Sequence, residues 1–364
     1  MTTTPTPDAG PKATPHTTGN QGNQMTSMRR RLLVLVAAVL VLAGVGTGVV
    51  LHAADRADRA NQPHAGYPTV SAGRLSLGQK SRVMFVNAAP GPHRTAVASV
   101  PSTDPDGSRT ASSLKCARFY AAAGTGVCLQ SNPGVLKQSN RALLLDADLR
   151  TKRTFPLAGT PSRARVSPSG RFVAWTVFVS GESYSSAFFS TRTSILDTRT
   201  MRLTPSLETF SVIKDGESYH ASDINFWGVT FASDDDTFYA TLNTADKTYL
   251  VRGSLSRRTV TTRVENVECP SLSPDGTRVA FKKRVLSRTD LWHEYVLDLR
   301  TLRETPLAER HSVDDQATWL DNRTVAYALP TSGNVKTTDL WSVPADGTGN
   351  PRLLIAGASS PAPL

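Results

Sequence analysis

Helical periodicity is scarce in this sequence outside one N-terminal segment, and its scarcity argues against a helical bundle or an α/β fold. Cysteine is scarce too: three in 364 residues, at 116, 128 and 269, with none of the CxxC spacing of a zinc site. His220, His293 and His311 are scattered and make no i, i+4 ligand pair. No Gly-x-Ser-x-Gly elbow occurs, which removes a main signature of an α/β-hydrolase nucleophile. Asp104-Pro-Asp-Gly107 and Asp234-Asp-Asp236 lack the later carboxylate that a calcium loop requires, so both read as hairpin turns. No catalytic residue, metal ligand or cofactor is therefore expected.

Charged residues are absent from 32–54, where Leu, Val and Ala dominate up to Leu51. About 20 such residues at roughly 1.5 Å each cover the roughly 30 Å of a bilayer core. Arg29, Arg30 and Arg31 precede the run, whereas Asp55, Arg56, Asp58 and Arg59 cancel after it, so the positive-inside rule keeps the N-terminus in the cytoplasm. The rest of the chain is then extracytoplasmic. A cleaved signal peptide is the competing reading, but the run is long and no A-x-A site follows it. This organisation predicts a disordered cytoplasmic tail over 1–28, a transmembrane signal-anchor over 29–54 and a linker over 55–69.

Negative charge is in short supply, with 30 Asp and Glu against 41 Lys and Arg and a formal net charge of +11. Lys12, Arg29, Arg30 and Arg31 against Asp8 take +3 of this, which leaves +8 for residues 32–364. A basic exterior outside the cell could contact anionic lipid or an acidic wall polymer, or be no more than a solvated surface. No motif supports nucleic-acid binding, and the compartment disfavours it.

What is abundant is a short repeat, an apolar strand end, a tight polar turn and a second apolar strand. Leu272-Ser-Pro-Asp-Gly-Thr-Arg-Val-Ala-Phe281 and Val166-Ser-Pro-Ser-Gly-Arg-Phe-Val-Ala-Trp175 are its clearest copies. Pro presets φ early in the turn and Gly supplies φ > 0 later, so each box is a hairpin. Weaker copies start at Phe231, Trp319, Phe119 and Leu77, giving steps of 42, 47, 65, 41 and 47 along the chain. Most steps match the roughly 40–50 residues of a four-stranded propeller blade. The long step is read as a surface loop inserted in the third blade over 204–222. The expected fold is all-β, a six-bladed β-propeller of four-stranded antiparallel blades over 70–358, with a C-terminal tail over 359–364.

The Ser-Pro-Asp-Gly box followed by Val-Ala-Phe resembles the repeat of the TolB-like, WD40-like six-bladed propellers, over roughly residues 70–355. Asn225-Phe-Trp-Gly-Val-Thr-Phe231, Glu268-Cys-Pro-Ser-Leu-Ser-Pro-Asp-Gly276 and Ser312-Val-Asp-Asp-Gln316 are similar to actinobacterial membrane proteins labelled TolB-like translocation proteins. The resemblance implies an envelope location and binding of other proteins, and no reaction. The family's namesake is a soluble periplasmic protein with an added N-terminal domain, for which this sequence leaves no room, so its partners are not carried over.

Aligning the boxes on Leu272 places Lys115, Trp227, Glu268 and Asp315 at one level of the ring, with Asp314, Gln316 and Asn225 beside them. These seven residues are the candidate binding group at the channel mouth, suited to a peptide or small cationic ligand of an envelope partner. Satisfying strand ends and one another is their structural alternative. The same alignment sets Cys116 and Cys269 in opposite blades, so the expected disulfide joins Cys116 to Cys128. A non-catalytic scaffold or sensor is the expected role; the rival is a lyase or hydrolase acting on a wall saccharide or peptide, supported only by the paired carboxylates.

Overall fold

The computed structural model describes residues 21–60, 62, 66–132, 139–181, 183–185, 189–285, 290–332 and 337–364. They belong to two units, one reaching Arg59 and one starting at Ala60. The first contains helix α1 (Gln21–Ala60), whose Met28–Arg56 portion is long and apolar enough to cross a membrane as an anchor or to serve as a signal sequence. Its Leu and Val side chains are exposed. The helix overruns the expected 29–54 at both ends, so 21–28 are helical and not disordered, and the expected linker begins as helix over 55–60. Gln, Met, Arg and Ala favour helix, and extending an existing helix costs far less than nucleating one. The remainder of the expected tail, 1–20, and linker residues 61 and 63–65 lie outside the described residues.

The second unit is a six-bladed β-propeller. Four-stranded antiparallel sheets form the second blade (Arg118–Ala122, Thr125–Asn132, Ser139–Leu145, Thr151–Leu157) and the third (Thr160–Val166, Phe172–Ser180, Ser190–Asp197, Arg202–Thr204). The fifth (Glu268–Leu272, Arg278–Arg284, Trp292–Asp298, Glu304–Pro306) and sixth (Thr318–Trp319, Thr324–Pro330, Thr338–Pro344, Arg352–Ile355) are built alike. In each, the first strand lies innermost and touches the innermost strands of its neighbours. Buried apolar clusters fill all six junctions between blades, so each sheet covers its neighbour's flank.

The first and fourth blades depart from the expected plan. The first has the strands Arg82–Asn87, Ala96–Pro101 and Arg109–Lys115, and its innermost strand is Ala358–Pro363, from the far end of the chain. Met84 pairs with Ala362 and Asn87 with Ala358, so residues 359–364 are not a tail but the piece that closes the ring. Pro361 and Pro363 disguise this strand in the sequence. An innermost strand is bonded along one edge only, which is where proline is tolerated. Buried Arg109 fixes the approach by donating to Asn87 Oδ1 at 3.0 Å, to Gly357 O at 3.2 Å and to Ala356 O. Strand Val70–Ala72 adds to the outer edge of this blade, parallel to Arg109–Lys115.

The fourth blade (Asn225–Phe231, Thr237–Thr244, Lys247–Ser254, Thr259–Glu265) carries two more strands, Ser211–Lys214 and Glu217–Tyr219. The expected loop of the third blade is therefore largely a hairpin docked parallel on the outer strand of the fourth, with Val212, Phe210 and Leu207 buried. Alternating Val212, Lys214 and the Lys214-Asp215-Gly216 turn are its sequence trace, masked by the surrounding polar residues. Cys116 and Cys128 form a disulfide with Cα atoms 5.4 Å apart, and Cys269 is free and buried.

Candidate functional site

Two irregular strand starts shape the face on which the innermost strands begin. Pairing in the fourth blade shifts between Trp227 and Thr230, and in the fifth between Glu268 and Ser271. Such bulges re-aim side chains next to a ligand site or rim. Gly228 makes the first possible: its φ is +65°, and a Cβ there would stand 2.7 Å from Cys269 Cα.

Over the third, fourth and fifth blades these starts border a cleft of about 890 Å3, lined by Phe189, Asp223, Ile224, Asn225, Trp227, Asp246, Lys247, Glu265, Glu268 and Arg284 among others. Asn225 is fixed by accepting from Thr191 N at 3.1 Å and Thr191 Oγ1 at 2.7 Å. Trp227 packs against Tyr184 and Phe189 at centroid distances of 5.3 and 5.4 Å, and its buried indole N–H has no hydrogen-bond partner among the described residues. Glu268 is buried; its Oε1 accepts from Trp292 Nε1 at 2.9 Å, while Oε2 accepts no hydrogen bond from the described residues.

Below the cleft, towards the axis, lies a charge network in which Lys282, Glu268 and Arg163 are buried and Asp314 is partly exposed. Lys282 Nζ sits 2.6 Å from Asp314 Oδ1 and 3.7 Å from Glu268 Oε2, between the Trp292 ring at 3.9 Å and the Tyr184 ring at 4.6 Å. Arg163 reaches the same Asp314 oxygen at 3.1 Å and stacks over Tyr184. Burial pushes the Asp314 carboxyl up, but Lys282 and Arg163 outweigh it and hold the group below its ordinary value. Glu294, opposite Lys282 across the strand pair, is buried, and neither of its oxygens is hydrogen-bonded among the described residues. Burial first, then the neighbouring Asp315 charge, pushes its pKa up to about 8.

Arg118, Arg163, Arg165, Asp315 and Gln316 border a void of about 20 Å3, room for about one water. Asp315 Oδ2 accepts from Ala328 N at 3.1 Å, and Gln316 Nε2 donates to Val229 O and Pro270 O at 3.0 and 2.9 Å. The seven candidates thus separate: Asn225, Trp227 and Glu268 border the cleft, Asp315 and Gln316 the axial void, and Asp314 bridges Lys282 and Arg163.

Lys115 stands apart. It ends an outer strand of the first blade, exposed, and its carbonyl accepts from Gln130 Nε2 at 2.9 Å. Phe119 lies inside its strand, whereas Leu272 ends its own, so alignment on these two residues slipped by three positions. The position belongs to Arg118, whose Nε donates to Ser162 O at 2.7 Å. Lys282 and Glu294 were findable as charges within otherwise buried strands; Tyr184, on the loop after the second strand of the third blade, left no signal.

No family model matches the chain, and no curated protein is significantly similar to it. Among solved structures it is similar to TolB from Acinetobacter baumannii, at 15% identity and a TM-score of 0.49 over 78% of this chain and 66% of that one. A puromycin-hydrolyzing peptidase from Mycobacterium tuberculosis gives 14% and 0.45 over 78% and 44%. The β-propeller domain of the Trilobed protease from Pyrococcus furiosus gives 12% and 0.37 over 64% and 69%. The chain therefore spans just under two thirds of the TolB chain and less than half of the peptidase. These are likenesses of propeller architecture, and they assign no activity.

Proposed function

We propose that this chain is a membrane-tethered, extracytoplasmic, non-catalytic propeller that binds a cationic segment of another envelope protein or a cationic peptide. The observation that carries the reading is a contrast of charge. Residues 1–59 hold Lys12, Arg29, Arg30, Arg31, Arg56 and Arg59 against Asp8, Asp55 and Asp58, so the propeller unit retains +8 of the +11. Its large cleft is nonetheless lined by Asp223, Asp246, Glu265 and Glu268 against Lys247 and Arg284. An acidic cleft in a basic domain steers cations to one place. Trp227 and Glu268 add buried polar atoms, Nε1 and Oε2, that no group among the described residues hydrogen-bonds. The tether reading rests on the apolar run of α1 and the arginines before it, and the envelope placement on the resemblance of its boxes to those of actinobacterial TolB-like proteins.

Asp246 and Glu265 are exposed on the rim, so the double variant Asp246→Lys/Glu265→Lys should fold normally. Affinity capture with the full-length protein from solubilised membranes should recover a partner that this variant no longer retains. Equal recovery by both proteins would refute the cleft as the binding surface. Turnover of peptidoglycan fragments by the wild type would replace the reading with an enzymatic one.

A further inference from the structure

We infer that Arg284 is a built-in stand-in for the ligand's cation, and that the cleft admits a guanidinium or ammonium group by displacing it. The inference rests on the cleft reading above and names the group recognised.

Arg284 and Lys282 both neutralise Glu268, in different ways. Lys282 is wholly buried and tightly held by Asp314 at 2.6 Å. The Arg284 side chain is 50% exposed, and its polar contacts are long: Nε to Glu268 Oε1 at 3.5 Å and Nη2 to the Tyr184 carbonyl at 3.4 Å. Contacts at that limit of hydrogen-bond distance, on a half-exposed side chain, hold it weakly. When it swings away, Lys282 still stands 3.7 Å from Glu268 Oε2, so the buried carboxylate is not left without a counter-charge.

What Arg284 uncovers is a set of groups matched to a cation. The Trp292 ring lies 5.2 Å from its guanidinium carbon, and a carboxylate and a carbonyl oxygen lie beside that ring. A π face with two oxygen acceptors is what a planar cation binds. The exchange needs no backbone motion: Arg284 N donates to Asn266 Oδ1 and Asn266 Nδ2 donates to Arg284 O, each at 2.9 Å, pinning the main chain. Among the described residues, buried Trp227 Nε1 has no hydrogen-bond partner and Glu268 Oε2 has an ion pair but no hydrogen bond, which marks a cleft wall whose polar groups are not all used by the protein itself.

Titration calorimetry of the detergent-solubilised full-length protein with a tri-arginine amide peptide tests this. A competing internal occupant cuts apparent affinity to the fraction of time it leaves the site free, so if Arg284 leaves it free about a third to a tenth of the time, Arg284→Ala should bind about 3- to 10-fold more tightly than the wild type. Arg284→Lys should stay near the wild type, and Glu268→Gln should lose at least about 10-fold. Unchanged or weaker binding by Arg284→Ala, or binding retained by Glu268→Gln, would overturn the stand-in while leaving the cleft reading intact. Absence of binding by both the wild type and Arg284→Ala would remove the cleft reading with it.

Discussion

Between the second and third blades, Val127, Leu129, Leu144, Phe155, Val173 and Trp175 meet in an apolar layer, whereas near the axis the third, fifth and sixth blades meet through Arg163, Lys282, Glu268 and Asp314. The first kind of junction recurs at every boundary of the ring and tolerates conservative exchange, because burial is non-directional. The second occurs at one level and depends on partners from several blades at once. Stability thus resides in what repeats, and the candidate chemistry in what does not.

The largest expected effect tests the repeating part. Deleting residues 358–364 removes the innermost strand of the first blade together with the buried Ala358 and Ala362. Loss of cooperative unfolding and rapid proteolysis of the full-length variant are expected; a sharp wild-type-like transition would show that the ring does not need this closure. At the mouth, Lys282→Met leaves buried Glu268 with only the half-exposed Arg284 and Asp314 with only Arg163, a destabilisation of about 3–5 kcal/mol by urea unfolding. A variant within about 1 kcal/mol of the wild type would mean that Arg163 and Arg284 carry the neutralisation.

Glu294 sharpens the contrast through pH. Its folded form keeps a proton up to about pH 8, and its unfolded form releases it near 4.5, so stability from this group is complete below 4.5 and declines as the pH rises through about 8. Glu294→Gln should remove that decline and stabilise the protein by a few kcal/mol at pH 8, with little change at pH 4. Equal pH profiles for the two proteins would indicate that the carboxyl ionises freely. The smallest effect belongs to the bulge: Gly228→Ala, with φ at +65° and a Cβ pressing on the Cys269 backbone, should cost about 1–3 kcal/mol and weaken any cleft ligand. An unperturbed melting curve would show that the fourth and fifth blades can move apart there.

The same division explains what the sequence disclosed. Pro-Asp-Gly and Pro-Ser-Gly turns are local chemistry, so blades three and five were legible from a few residues each. The second blade turns at Ala123-Gly124 without proline, and that is where the alignment slipped and put Lys115 in place of Arg118. The closing strand was illegible because its prolines are acceptable only once the chain's two ends have met. At the mouth, Trp227 and Glu268 could be named from their level in the ring. Tyr184 could not, since it lies on a loop and its contacts cross to other blades, which no local pattern encodes.

Because Arg82–Asn87 waits for Ala358–Pro363, synthesis from the N-terminus produces five sheets and most of a sixth before the ring can shut. Through that interval the nascent chain carries a bare strand edge and two uncovered sheet flanks, the surfaces most prone to pair with another molecule. A ribosome stalled a few residues short of the closing strand would release a chain that has nearly every contact of the finished protein and yet behaves as a seed for aggregation.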